Sequence, residues 1–342
     1  MSVKSMKRDK NDQNRKKRVP AGYWQQSIWQ VSAKRMLRFV IIVFAAMVLG
    51  SASLLAEDKL LDRVTVPLQV EGNRLYVDVI LKRTNGTPRI TKFLVDSGGG
   101  GFLIAESAAL DLGLKWGKAE KEEGLEFAQT IMTPEAFLDG MKLELNPQRV
   151  MVIVGADRVT PSNAPVKAEG LFPGHLLARY HVVFDYPNHK FTLARPGVLQ
   201  PRGTAMPMPV GKRSGFPRTE LVVGGVTNGF LIDTGASFSM VSEALLKSWG
   251  SAHPDWPRHP GAFGEAKTLG GQTLETMFVP RGQWGALELG EFGVTSQRAG
   301  TFEKWMSSMM TAPIKGSLAG NVLHQFRVEL DYPNQKLYVS KQ

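Results

Sequence analysis

The chain has 342 residues, ordinary apolar content and a formal net charge of +11 at pH 7. Its lack of Cys excludes disulfide bonds, thiolate catalysis and Cys-ligated zinc. Residues 1–38 hold 11 Lys or Arg and two acidic residues, so this segment carries +9 and the rest of the chain +2. A nearly balanced remainder offers no basic face of the kind that binds nucleic acid.

Residues 1–38 are polar and basic without sustained periodicity, which predicts a disordered cytoplasmic tail. Residues 39–56 follow with an apolar run, FVIIVFAAMVLGSASLL, that holds no charged residue. Positive charge before such a run keeps the N-terminus in the cytoplasm and sends the rest of the chain across the membrane. Two interpretations stay open: a signal peptide cleaved near Ala52 or after Ala56, or an uncleaved anchor, which the long basic leader favours.

From Val64 onward the pattern becomes that of β-structure. Three apolar-rich runs, VTVPLQV, RLYVDVIL and ITKFLVDSG, are separated by turn signals that include Asn85-Gly86. Asn-Gly between strand-like runs is a strong hairpin signal. The third run ends in Asp96-Ser97-Gly98, and a short helix is predicted over Ala105–Leu112. We assign residues 60–196 to a first lobe.

The same order of elements recurs after residues 197–217, which are dense in Pro and Gly and which we interpret as a linker. The second lobe, residues 218–342, has a strand leading to Asp233-Thr234-Gly235 and then a short predicted helix, SEALLKSW. The two Asp motifs align at an offset of 137 residues, and the later D-Y-P-N turns align at an offset of 146. Internal duplication of this kind indicates two lobes of one architecture.

Each motif places a carboxylate at the end of a buried strand, where it is costly unless it has a partner. The obvious partner of Asp96 is Asp233. Two adjacent carboxylates cannot both ionise, so they share a proton and titrate together. The ionised member can then take a proton from water while the protonated member polarises a carbonyl group. The pattern predicts a general acid–base pair that needs no covalent intermediate, metal ion or cofactor.

In these motifs, over residues 64–342, the chain resembles the retropepsin-like aspartic proteases, and in particular bacterial aspartyl-protease-family proteins with two tandem lobes. The resemblance implies a mostly β, bilobal retropepsin- or pepsin-like acid protease fold, with lobes related by a pseudo-twofold axis and an N-terminal signal or anchor segment before them. It implies an aspartic endopeptidase with Asp96 and Asp233 as catalytic residues. The residues expected to support the active-site loops, by bonds across the interface or by close backbone approach, are Ser97, Gly98, Thr234 and Gly235.

The resemblance also implies a peptide or protein substrate and a location in the periplasm, or on the inner membrane facing the periplasm. A monomer suffices because both motifs lie in one chain. The competing class is a binding module of the same fold with an impaired pair, which the run Gly99–Gly101 favours. A third class is hydrolysis of a non-protein envelope polymer, because a water-activating pair does not dictate its substrate.

Two departures from the family pattern carry predictions. Position +3 after each Asp is Gly99 or Ala236, where a Ser or Thr hydroxyl is usual. Without that hydroxyl, the carboxylate of each Asp loses a hydrogen bond that would stabilise its charged form. We therefore predict an activity optimum at mildly acidic to neutral pH. The later glycine segments also depart from the pattern, with Pro173 in the first lobe and Ser317 in the second.

The remaining candidates are predicted to be structural. Asp185 and Asp331 precede turns and are expected to cap them, and Tyr186 and Tyr332 are expected to pack against their hairpins. The six His are scattered, without metal-ligand spacing. The segment Thr301–Met310 is extra in the second lobe, and its apolar residues at helical spacing predict core or membrane-facing packing rather than a substrate-binding lip.

Overall fold

The computed structural model describes residues 61–122, 124–263, 275–297 and 299–341. The predicted basic tail (1–38) and the signal or anchor segment (39–56) lie outside these residues. Within the described part of the chain, no helix is long and apolar enough to cross a membrane. The described chain is mostly β-structure, arranged in three sheets with short helices between strands.

The strands in chain order are β1 (Arg63–Pro67), β2 (Gln69–Glu71), β3 (Arg74–Lys82), β4 (Pro88–Asp96), β5 (Phe102–Ala105), β6 (Glu120–Glu122), β7 (Leu125–Gln129), β8 (Ala136–Leu138), β9 (Met141–Lys142), β10 (Val150–Val154), β11 (Gly170–Pro173), β12 (His181–Asp185), β13 (Lys190–Ala194), β14 (Thr204–Pro207), β15 (Arg218–Val223), β16 (Val226–Ile232), β17 (Met240–Ser242), β18 (Arg258–Pro260), β19 (Glu275–Val279), β20 (Gly282–Trp284), β21 (Leu287–Leu289), β22 (Phe292–Gln297), β23 (Gly316–Leu318), β24 (Phe326–Asp331) and β25 (Lys336–Lys341). The helices are α1 (Glu106–Asp111), α2 (Gly174–Leu177), α3 (Glu243–Ala252) and α4 (Gly320–Leu323), with a 3-10 turn at Pro147–Arg149 and a π-helical turn at Thr301–Met306.

Two of the sheets have the same strand order. The lobe 1 sheet runs β6-β7-β10-β5-β11-β4-β3-β8-β9, with β2 paired to β3. The lobe 2 sheet runs β18-β19-β22-β17-β23-β16-β15-β20-β21. In each, the strand that leads to an Asp motif (β4 or β16) pairs in parallel with the strand of the later glycine segment (β11 or β23). The sequence repeat is therefore a repeat of topology.

The third sheet is built from both halves of the chain, in the order β1-β13-β12-β24-β25-β14. Its central strands, β12 and β24, are antiparallel, and Val183 pairs with Glu329. These two residues are 146 positions apart, so equivalent positions of the repeat face each other across a local twofold axis. The segment predicted as a linker contributes the edge strand β14, which pairs with β25.

Alternating and continuous apolar runs place the strands around a buried core. In β1 only Val64 and Val66 are buried, as expected for a strand with one solvent face. Strands β11 and β17 are buried at every position, which fits their place in the middle of a sheet. Both predicted helices are confirmed. In α3 the Ser242 hydroxyl caps the first turn by accepting from the Leu245 N–H at 3.1 Å, and the helix continues to Ala252, three residues beyond the predicted SEALLKSW segment.

Candidate active site

The two Asp motifs meet where β4 and β16 end. Strand β4 ends at Asp96, and β16 ends at Ile232, one residue before Asp233. Their carboxyl groups are hydrogen-bonded to each other, and both residues keep partial solvent exposure. The structure thus brings together the two side chains that the sequence predicts as a pair.

The hydroxyl residues after the two aspartates bond reciprocally across the lobe interface. The Thr234 hydroxyl accepts from the Ser97 N–H at 3.0 Å and donates to the Val95 carbonyl at 2.9 Å. The Ser97 hydroxyl accepts from the Thr234 N–H at 3.1 Å and donates to the Ile232 carbonyl at 2.6 Å. Both side chains are fully buried. Four buried hydrogen bonds therefore lock the two loops together.

Backbone N–H groups orient each carboxylate. The Asp96 carboxylate accepts from the Gly98 N–H at 2.9 Å, and the Gly99 N–H donates to the backbone carbonyl of Asp96 at 3.1 Å. Asp233 accepts from Gly235 at 3.2 Å and from Ala236 at 3.1 Å. Hydrogen bonds of this type favour the charged form of a carboxyl group.

Close packing explains the glycine in each motif. A Cβ atom on Gly98 would lie 3.1 Å from Cγ of Asp233, and one on Gly235 would lie 2.3 Å from Cγ of Asp96. Each glycine therefore faces the aspartate of the other lobe, and a side chain on Gly235 would displace Asp96 outright.

The size of the residue at position +3 is matched to a residue of the later glycine segment in each lobe. A Cβ atom on Gly99 would lie 2.8 Å from both Oδ2 of Asp96 and Cδ2 of Leu171. At the offset of 146 residues, the position of Leu171 is taken in lobe 2 by the smaller Ser317, and there the +3 residue is Ala236. Lobe 1 therefore needs glycine at position +3, because any larger side chain at Gly99 would clash with Asp96 and Leu171.

Both carboxyl groups of the pair have raised pKa values. Burial, followed by the charge of Asp233, raises the pKa of Asp96 to about 8. Burial also raises the pKa of Asp233, to about 6, against the lowering effects of its backbone hydrogen bonds and of the Arg74 guanidinium. Joint perturbation of two contacting carboxyl groups is the expected behaviour of a pair that shares one proton.

Arg74 is a site residue that the sequence did not reveal. It begins β3 in lobe 1, is only 7% exposed, and its charge acts on the neighbouring Tyr76. Its positive charge acts on Asp233, the aspartate of the other lobe. A single Arg at the start of an apolar strand is common in sequences, so no local pattern marks its role.

The D-Y-P-N turns behave as predicted and also approach the site. Asp185 and Asp331 accept from the N–H groups of Asn188 and Asn334, each at 3.3 Å, and so cap their turns. Tyr186 and Tyr332 are buried. Burial and then the charge of the other lobe's aspartate raise their pKa values, Asp233 acting on Tyr186 and Asp96 on Tyr332.

A cleft of about 420 Å³ opens beside the glycine loop of lobe 1. The β6–β7 hairpin contributes Glu122 and Phe127 to it.

The residues of the extra segment of lobe 2, Thr301–Met310, lie in two different environments. Its buried residues, Phe302 and Met306, pack in an apolar cluster as predicted. By contrast, Trp305 is 51% exposed and lines the cleft together with Met309, so the prediction of packing alone was wrong for this part. Within the described ranges, no cluster of His, Asp or Glu has the arrangement that holds a metal ion.

Comparison with protein-family models and with curated proteins finds no match. Among solved structures, the chain is similar to the crystal structure of the aspartic proteinase from Irpex lacteus. The TM-score is 0.48 and the sequence identity 11%, and the match covers 82% of this chain and 97% of that one. At these values the functional conclusions depend on the geometry of the site.

Proposed function

We propose that this protein is an aspartic endopeptidase with a bilobal, pepsin-like fold, in which Asp96 and Asp233 activate water for peptide-bond hydrolysis. The observation that carries the proposal is the pair itself. Two carboxyl groups from equivalent strand ends are hydrogen-bonded to each other, and the pKa of each is raised. Perturbed pairs of this kind, next to an open cleft, are typical of catalytic acid–base sites.

The surroundings of the pair assign the two roles. The charge of Arg74 favours the ionised form of Asp233, so the shared proton resides on Asp96. Asp233 then takes a proton from the attacking water, and Asp96 donates a hydrogen bond to the scissile carbonyl oxygen. When the tetrahedral intermediate collapses, the C–N bond breaks and the leaving nitrogen takes up a proton, so water is the only co-reactant.

The cleft supports a peptide as substrate. It lies beside Gly98, is bordered by a β-hairpin, and combines apolar residues with a few polar ones, which is the usual composition of a ligand site.

The cellular location belongs to the same proposal. The basic segment and apolar run at the N-terminus support export to the bacterial envelope, either anchored or released. Both active-site motifs lie in one chain, so we propose that the monomer is active.

The test is cleavage of a diverse peptide library by the full chain between pH 5 and 8. The matched variants are the double substitution Asp96→Asn with Asp233→Asn, and Asp78→Asn, which changes an exposed Asp on β3 of lobe 1. We expect cleavage by the parent and by Asp78→Asn but not by the double variant. A folded parent that cuts no peptide at any pH, yet binds some of them, would replace the proposal with a peptide-binding module.

A further inference from the structure

The glycine run of lobe 1 leaves room in the cleft beside the aspartate pair. A Cβ atom on Gly100 would have no other atom within 4 Å, so this residue faces open space. A Cβ atom on Gly101 would lie 3.0 Å from Cε of Met151 in the cleft wall. Gly98, which also lines the cleft, donates its N–H to the Asp96 carboxylate at 2.9 Å. A molecule bound along this loop therefore lies next to the aspartate pair.

Two Arg side chains line the same cleft. Arg149 ends the 3-10 turn of lobe 1 and is half-buried, whereas Arg213 lies in the segment before β15 and is exposed. The Arg149 guanidinium donates to the Gly100 carbonyl at 3.4 Å, which holds it at the glycine run. Among the described residues, neither Arg forms an ion pair with a carboxylate. Glu122 of the β6–β7 hairpin is the one acidic residue among the described residues that line the cleft, so at least one guanidinium group is in excess.

Aromatic and aliphatic side chains form most of the remaining lining. Phe127 comes from the hairpin, Phe216 from the segment before β15 and Trp305 from the extra segment of lobe 2. Trp305 is 51% exposed, so a bound group can still cover apolar surface there. An Arg beside such apolar surface attracts a carboxylate more strongly than an Arg in open water, because the local dielectric constant is lower. The cleft therefore fits a ligand that carries a carboxylate close to an apolar side chain.

We propose that this cleft selects peptides in which a carboxylate lies close to an apolar side chain, with Arg149 as the specificity-determining residue. The inference rests on the proposed function and names its substrate class. The carboxylate can come from an Asp or Glu side chain or from the C-terminus of the peptide, since both present two acceptor oxygens to the planar guanidinium group. Arg149 is half-buried and held by the Gly100 carbonyl, so it loses less side-chain freedom on binding than the exposed Arg213.

The first experiment measures binding in the absence of cleavage. The full chain with Asp96→Asn and Asp233→Asn is titrated at about pH 7, where a peptide carboxylate is ionised. The probes are three N-acetylated, Ala-rich peptides with a single Phe. The first has Glu next to Phe and an amidated C-terminus, the second has Gln in place of that Glu, and the third ends in Phe with a free carboxylate. We expect the Gln peptide to bind about tenfold more weakly than the tighter of the other two, the loss of one charge-assisted hydrogen bond, and the tighter peptide identifies the source of the carboxylate.

Variants of Arg149 test whether its charge causes this preference. Arg149→Gln should lose the preference, Arg149→Glu should favour the Gln peptide, and Arg149→Lys, which keeps the positive charge, should retain part of the preference. Arg179→Gln is the matched control and should keep the preference, because Arg179 is an exposed Arg of lobe 1 outside the cleft. Equal binding of the three peptides, or no binding of any of them, would overturn the proposal, as would a preference that survives Arg149→Gln.

Cleavage by the parent separates this proposal from the proposed function. The ratio of kcat/KM between the tighter carboxylate peptide and the Gln peptide should be about tenfold and should fall as the salt concentration rises, because salt screens the guanidinium charge. If the parent cleaves the peptides without regard to the carboxylate, the proposal fails while the proposed function stands. If the carboxylate peptides bind through Arg149 and none is cleaved, the proposed function fails while the carboxylate site stands.

Discussion

Replacing Thr234 by Val removes the hydroxyl group from the lobe interface and keeps the shape of the side chain. In the parent, this hydroxyl satisfies the Ser97 N–H and the Val95 carbonyl, both deep in the structure. A buried polar group without a partner costs about 1–3 kcal/mol, so two of them predict a loss of about 2–6 kcal/mol in the free energy of unfolding. Activity should fall as well, because the same bonds hold the two aspartate loops together.

The assay is urea unfolding of the full chain, followed by kcat/KM on a cleaved peptide. Thr234→Ser is the matched control, since it keeps both hydrogen bonds and loses one methyl group, worth about 1 kcal/mol. Ser97→Ala tests the equivalent bonds from the other lobe and should cost as much as Thr234→Val. If Thr234→Val were as stable as Thr234→Ser, the interface hydroxyls would not hold the lobes together and this reasoning would fail.

Three further predictions concern charge. The proposed mechanism needs one protonated and one ionised carboxyl group, so kcat/KM should follow a bell-shaped profile between the two apparent pKa values of the pair, about 6 and about 8. An optimum below about pH 3.5, near the range of free carboxyl groups, would contradict it. Arg74→Met should shift the acidic limb to higher pH, because the guanidinium lowers the pKa of Asp233, whereas Arg74→Lys should leave the limb near its parent position; equal profiles for both variants would refute the role of the charge. Glu329→Gln breaks a buried ion pair with Arg327 and alters the hydrogen bond to His181, and it should destabilise the protein by about 3 kcal/mol in urea unfolding. Glu135→Gln, in an exposed ion pair with Lys82, should destabilise the protein far less, and equal losses would contradict the buried role of Glu329.

The raised carboxyl pKa values also predict how stability depends on pH. A carboxyl group whose pKa is higher in the folded than in the unfolded state stabilises the fold below the unfolded pKa, about 3.9, and this contribution is lost as the pH rises through the folded value. The Tm of the parent should therefore fall between pH 4 and 8, and Asp96→Asn should flatten this dependence. A parent Tm that rises over this range would contradict the raised pKa values.

The paired aspartates could be predicted from the sequence because the evidence for them is a repeat. Motifs at constant offsets predict equivalent strands, and two equivalent strands of a duplicated sheet bring their ends together at the symmetry axis.

Other parts of the site leave no local signal. Arg74 acts on an aspartate of the other lobe, and nothing in its own strand indicates that contact. Strand β14 lies in a segment rich in Pro and Gly, and it forms because β25 offers a free edge, which is a property of the distant half of the chain. The exposure of Trp305 beside the cleft likewise depends on lobe packing rather than on the spacing of apolar residues.

The most direct test of the central claim is a double-mutant cycle on the two aspartates. kcat/KM would be measured for the parent, Asp96→Asn, Asp233→Asn and the combined variant, each shown to be folded. If the two carboxyl groups act as one unit, each single substitution should remove on the order of 10⁴-fold of the activity, and the combined variant should be no worse than either. A single variant that keeps more than about a tenth of the parent activity, or losses that multiply in the combined variant, would show that the two aspartates do not form a catalytic pair.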